Sequence, residues 1–154
     1  MSNTHATSQP LVSRRRALIA CLALGGVGAA YWFNITGSVQ AADLTVQSAF
    51  LGASKGDFTL IDIRRPDEWA RTGVPVGAIP LDMRDPEFVQ KLLIQVSSPT
   101  APIALICARG VRSRHLAGRL TEAGFTNIID VPEGMLGSGA GPGWLGAGLP
   151  VTKL

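Results

Sequence analysis

The sequence is short of the residues that most often announce a special chemistry. Among 154 residues there are 2 cysteines, 2 histidines and 1 tyrosine. Two cysteines, Cys21 and Cys107, exclude a disulfide scaffold and a multi-cysteine zinc site. No metal-ligand constellation and no glycine-rich phosphate fingerprint is present, so neither a metal nor a cofactor is expected. Acidic residues are missing altogether before Asp43. Lys and Arg total 14 against 11 Asp and Glu, and the excess sits in Arg14, Arg15 and Arg16. From Ala42 onward the two signs balance, so charge gives no case for a nucleic-acid partner. What is plentiful is apolar: 46% hydrophobic residues against 16% charged, with 5 Phe and 3 Trp. That excludes a disordered or fibrous chain, and the length suits one domain.

The N-terminal segment has the order of an export signal. Ser13-Arg14-Arg15-Arg16 precedes an apolar stretch, Ala17 to Phe33, and Val39-Gln40-Ala41 offers small residues at a cleavage site. The paired arginines after a serine resemble a twin-arginine signal, and Gly25, Gly26 and Gly28 lower the hydrophobicity of the stretch in the way that route prefers. A cleaved signal over residues 1–41 is therefore expected, with a periplasmic mature domain over 42–154. The alternative is an uncleaved anchor, for which 17 residues is at the short end. Only in that case is a membrane expected as a partner.

The rest of the chain alternates strand and helix periodicity. Phe58–Ile63, Ala78–Leu81, Pro102–Ile106 and Asn127–Val131 read as short buried strands. Helices are expected from Pro66, from a cap at Asp85-Pro86-Glu87 with Phe88, Val89, Leu92, Leu93 and Val96 on one face, and over Val111–Ala123 before Gly124. Alternation of this kind predicts an α/β fold, a small parallel sheet covered by helices on both faces. Between Gly134 and Gly148, 7 of 15 residues are glycine, interrupted by Met135, Leu136, Trp144 and Leu145. Those apolar anchors predict an ordered irregular loop packed on the sheet and bordering the site. A mobile glycine loop without function is the alternative.

The informative segment begins where the third strand runs into Cys107. Ligands of open parallel sheets bind at the carboxyl ends of strands. The backbone N–H groups of Ala108, Arg109, Gly110, Val111 and Arg112 can point at the sulfur, and the following helix N-terminus adds partial positive charge. Arg109 and Arg112 bring two guanidinium groups. All three effects favour thiolate over thiol. Gly110 permits a tight turn with positive φ. Taken alone, a cysteine at a strand end can equally be a small buried hydrophobe.

Cys107-Ala108-Arg109-Gly110-Val111-Arg112-Ser113 resembles the active-site loop of rhodanese-type sulfurtransferases, cysteine-x-x-glycine-x-arginine. Upstream, Asp62-Ile63-Arg64…Glu68-Trp69 is similar to the family's aspartate-x-arginine…glutamate-aromatic segment, and Gly134-Met135…Gly143-Trp144…Gly148 to its closing tail. Gly73-Val74-Pro75 departs from the glycine-histidine-isoleucine of many members. The resemblance implies a rhodanese-like domain in which Cys107 takes a sulfane sulfur from a small anionic donor such as thiosulfate. The resulting persulfide would pass its outer sulfur to cyanide, a thiol or a protein acceptor. Ala108 to Arg112 would line the substrate site, and Asp62 and Arg64 would form a supporting layer beneath the loop. The alternative for that pair is a plain surface ion pair. Glu68 is expected to be a helix-start acid or ion-pair partner. His115 is expected to be solvated, since a thiolate needs no base.

Two rival functions stand beside this one. A cysteine phosphatase of the same fold needs five residues between cysteine and arginine, and here Arg112 is the fifth after Cys107, which leaves four. A non-catalytic persulfide carrier would keep the same loop, and nothing in the sequence separates it from a free enzyme.

Overall fold

The computed structural model describes residues 43–154; the expected export signal and Cys21 lie outside the described residues. Helix α1 (Val46–Lys55) leads into strand β1 (Thr59–Asp62) and helix α2 (Pro66–Thr72). The two-residue strand β2 (Val74–Pro75) precedes β3 (Ala78–Pro80), and α3 (Phe88–Gln95) leads to β4 (Ile103–Ile106). Helix α4 (Val111–Glu122), strand β5 (Ile128–Val131), the short helix α5 (Gly143–Gly146) and β6 (Val151–Thr152) complete the order. Among these residues no helix is long and apolar enough to cross a membrane.

Four strands form one sheet in the order β3-β1-β4-β5, every pair parallel, so the expected α/β architecture is what the chain adopts. Strand alternation divides the core into two faces. Ile61, Ile63, Ile103, Leu105 and Ile128 pack with Leu92 of α3 and Leu116 and Leu120 of α4. Leu60, Ala104, Ile106 and Val131 pack on the other face with Val46 and Ala49 of α1 and with Met135 and Trp144. Each fully buried Leu or Ile contributes roughly 1.5–3 kcal/mol of transfer free energy. Cys107 continues the phase of Ile103 and Leu105, which puts it on the α4 side at the end of β4.

One helix was not expected, and two expectations need correction. Helix α1 lacks the large apolar stripe that would have announced it; its inward positions are Val46, Ala49 and Gly52, and Thr45 caps it by accepting from the Ser48 N–H. In α3 only Phe88 and Leu92 are buried, whereas Val89 and Leu93 are each 41% exposed, so the apolar face that meets the core is narrower than expected. Asp85 sits two residues before its N-cap, accepting from the Glu87 N–H and pairing with Lys91. In the tail, Met135 and Trp144 are buried but Leu136 and Leu145 point outward. Trp144 stands edge-on to Phe50, ring centroids 5.9 Å apart, and donates from Nε1 to the Pro150 carbonyl. Val74 and Pro75 pair antiparallel with Val151 and Thr152, so the Gly73-Val74-Pro75 segment fastens the end of the chain.

Candidate active site

The site forms where β4 ends beside β1 and β5. Cys107 is 1% exposed and is the free cysteine of the described residues. Two backbone bonds hold its loop from the tail: Met135 N–H donates to the Cys107 carbonyl and Leu136 N–H to that of Ala108, both at 2.9 Å. The glycine-rich tail is thus ordered and borders the loop. Gly110 takes φ 80°, where an added Cβ would run into the Pro132 carbonyl. Gly134, at φ 66°, lies so close to Ala108 that a Cβ would sit 2.6 Å from its carbonyl. Two glycines therefore allow the strand end, the loop and the tail to share one small volume.

Among the described residues, none of the backbone N–H groups from Ala108 to Arg112 donates to a backbone or side-chain acceptor. Buried or half-buried N–H groups are normally paired, so a run of free donors at a helix start is a ready anion cradle. Gly110 N-caps α4 with no side-chain bond, which leaves those donors available.

The arginines divide in role. Arg112 is engaged by Glu68 of α2 in a bidentate pair, Nη1 to Oε2 at 2.8 Å and Nη2 to Oε1 at 2.7 Å. Its hydrogen bonds hold the Glu68 carboxyl at about 2, well below 4.5, and raise the guanidinium in turn. Glu68 also accepts from the Arg65 N–H at the start of α2. Arg112, expected to line the substrate site, is thus held in an ion pair that locks α4 to α2, and Glu68 is the ion-pair partner it was expected to be. Arg109 is exposed, and among the described residues its one polar contact is a long 3.5 Å bond to the Gly137 carbonyl. It is an exposed cation beside the loop.

Asp62 and Arg64 are not a surface pair. Both are essentially inaccessible, bound through Nη2 and Oδ2 at 2.6 Å and through Nε to both carboxylate oxygens. The remaining Arg64 donors reach Thr72 Oγ1 and the Gly73 carbonyl, each at 2.7 Å. The pair ties the end of β1 to the end of α2 and so carries the element that presents Glu68. Its hydrogen bonds run away from Cys107.

Sequence reasoning gave no role to two residues that the fold brings in. Ser113, fully buried in the first turn of α4, places its hydroxyl 3.5 Å from Cys107 Sγ and 3.0 Å from the Gly110 carbonyl. Its signal was legible: it lies six residues past the cysteine, at the position that turns back over the loop. Asp130 of β5 is 2% exposed, and neither carboxylate oxygen receives a well-directed hydrogen bond. Nothing local marked it. Val111, Arg114, His115 and Pro132 line a shallow pocket of about 430 Å³ with Arg109 and Gly110, on the outer side of the loop.

The comparisons bear on the family and the fold. The family profile for the rhodanese-like domain matches residues 47–137. No curated protein matches the chain. Among solved structures, the Alr3790 protein from Anabaena sp. is 17% identical with a TM-score of 0.58, covering 72% of this chain and 92% of that one. A rhodanese-related protein from Thermoplasma volcanium is 23% identical with a TM-score of 0.56, covering 73% and 99%. An EanB variant described as a cysteine persulfide in a tetrahedral intermediate state with ergothioneine is 21% identical, with a TM-score of 0.57. The match covers 73% of this chain but only 28% of EanB. At these identities the likeness is one of fold, and it is the match over residues 47–137 that decides membership: the chain belongs to the rhodanese-like domain family, a family of sulfurtransferases.

Proposed function

We propose that this domain moves a sulfane sulfur from thiosulfate, or a donor of the same chemistry, to a thiophilic acceptor through a persulfide on Cys107. The observation that carries the reading is the run of unpartnered N–H groups from Ala108 to Arg112 around one buried cysteine. Cys107 thiolate attacks the outer sulfur of thiosulfate, the S–S bond breaks, and its electron pair leaves with sulfite. Cyanide or a thiolate then attacks the outer sulfur of the persulfide, and the pair returns to Cys107. The loop amides hold negative charge in both half-reactions without reorganising. Arg109 meets the incoming dianion, and Arg112 keeps the loop in register with α2. The cysteine persulfide described for EanB supports a persulfide as the form such a cysteine can take. The arginines and the apolar stretch of residues 13–33, outside the described residues, support a periplasmic setting for this activity.

Intact mass of the purified protein before and after thiosulfate tests the proposal. A gain of one sulfur, removed by cyanide with release of thiocyanate, is expected. Cys107→Ser should abolish both, because a hydroxyl is far less acidic and less nucleophilic. An aryl phosphate should be a poor substrate, since the four-residue spacing leaves a narrow cradle. Thiocyanate formation by the serine variant at the normal rate would refute the assignment.

A further inference from the structure

Beside the starts of α1 and α5 lies a buried acid that the sulfur-transfer scheme does not use. Glu133 follows β5 and is 3% exposed. Its Oε1 accepts from the Val46 N–H at the start of α1, at 3.1 Å. Its Oε2 accepts from the Gly143 N–H at the start of α5, at 3.2 Å. Among the described residues no cationic side chain pairs with it. Gly141 passes so near that an added Cβ would lie 2.5 Å from Oε2. A buried carboxylate is costly unless its oxygens are met, and here backbone donors alone meet them.

Glu133 closes the base of the glycine-rich tail. The chain leaves it at Gly134 and returns at Gly143, so the carboxylate ties the far end of that excursion to the near one. Between those ends the tail is bonded on two sides. The Trp144 and Leu145 N–H groups donate to the Gly134 and Met135 carbonyls, at 2.9 and 3.1 Å. The Met135 and Leu136 N–H groups donate in turn to the Cys107 and Ala108 carbonyls. In a trans peptide the C=O and the following N–H point opposite ways, and no peptide here is cis. Drawing the Cys107 and Ala108 carbonyls to the tail therefore turns the Ala108 and Arg109 N–H groups away from it. Met135 belongs to the α1-side core and Cys107 to the α4-side core, so those two donors face the side that holds the sulfur.

We propose that Glu133 is a positioning residue for the Cys107 loop: by holding α5 against the tail, it fixes the direction of two donors of the anion cradle. It touches neither the sulfur nor a substrate. Its effect passes through backbone hydrogen bonds, from Gly143 and its neighbours to the tail and from the tail to Cys107 and Ala108. A residue acting this way governs how well developing negative charge is met. It leaves the first docking of the donor alone, because Arg109 is untouched. The inference rests on the reading that this cradle holds sulfur-borne charge, but one arm of its test needs no turnover.

The experiment compares Glu133→Gln and Glu133→Asp with the wild type in the purified full chain. Gln keeps the size but sets an N–H group where one backbone donor needs an acceptor; Asp keeps the charge but is too short to reach both donors. Thiocyanate formation from thiosulfate and cyanide should lose about tenfold in kcat in each variant, with KM within about threefold, the mark of misaimed donors. Amide hydrogen exchange, read residue by residue by NMR, should rise at Met135 and Leu136 by about tenfold more than in β1 and β4. Val96→Ala trims a buried side chain near the starts of β1 and β4 and controls for plain loss of stability. Its kcat should stay within about twofold of the wild type, and its exchange should rise without singling out the tail. Unchanged kcat in the Glu133 variants, a rise in exchange that spares Met135 and Leu136, or an equal fall in kcat for Val96→Ala would overturn the proposal. If Glu133→Gln does not fold, Glu133→Asp carries the test. A wild type that forms no thiocyanate, with the exchange pattern as expected, would instead count against the reaction assigned above and leave the clamp standing.

Discussion

The two flanks of the Cys107 loop each end in an acidic side chain, and the two acids have opposite fates. On the α2 side, Glu68 holds Arg112 with both oxygens and is kept ionised to about 2. On the β5 side, Asp130 is more deeply buried, has only the distant edge of Arg114, and is pushed above its ordinary value by burial. One flank is fastened by a formed ion pair and the other keeps an unmet hydrogen-bonding group. The difference shows that burial alone does not set the charge of a carboxyl; the partner within reach decides it.

A third acid calibrates the comparison at the large end. Asp62 is as buried as Asp130 but fully paired, so Asp62→Ala should leave Arg64 as an uncompensated buried charge and cost ~3–5 kcal/mol. Urea midpoints of the variant and wild type measure it, and a loss under 1 kcal/mol would mean that Arg64 finds water.

Glu68→Gln should cost less, on the order of 1–2 kcal/mol at neutral pH, because Arg112 stays partly solvated. The sign with pH is fixed. Glu68 is held below its usual value of 4.5, so its contribution is complete above that pH and is lost as pH falls toward 2. The wild type should show this acid limb in stability and the variant should lack it.

Asp130→Asn should move the other way. A carboxyl whose folded value is raised stabilises the fold only while protonated, and stability declines as pH rises from the ordinary carboxylate range through the raised value. The variant should therefore be more stable than the wild type at neutral pH by ~1 kcal/mol, the cost of an unsatisfied buried group, with no difference in strong acid. Thermal midpoints at two pH values decide it. A variant that is less stable at neutral pH would show that the carboxylate is satisfied after all.

The smallest change in stability belongs to Arg109→Ala, within about 0.5 kcal/mol, since the side chain is exposed and weakly bonded. Its effect should fall on thiosulfate KM, whereas Arg112→Ala should lower stability together with kcat by releasing Glu68. Equal KM for Arg109→Ala and wild type would remove Arg109 from the substrate site.

Much of this arrangement could be read in advance, and the parts that could not share a cause. The four sheet strands, the helix after the loop and the positive φ of Gly110 follow from apolar runs, a helix start and a glycine, all properties of neighbouring residues. Helix α1 stayed hidden because small residues, Ala49 and Gly52, make its buried face where Phe58 fills the space. The β2–β6 pair joins segments far apart in the chain and has no local periodicity to announce it.

By itself the sequence determined that an apolar strand ends in one cysteine, that a glycine lets the next residues turn back, and that a helix starts within reach of the sulfur. Those features rest on local backbone preferences, which a short segment carries wherever it is placed. Which charges act at the sulfur was decided only by tertiary structure. Arg109 and Arg112 are three residues apart and chemically alike, yet packing of α2 against α4 gives one to Glu68 and leaves the other exposed beside the loop. Glu68 and Asp130 are ordinary acids in the sequence, and only the company each keeps after folding makes one a clamp and leaves the other a buried carboxyl pushed above its ordinary value. The physical reason is that a charge interacts through space with whatever the fold brings near, and strand pairing brings together residues that the chain keeps far apart.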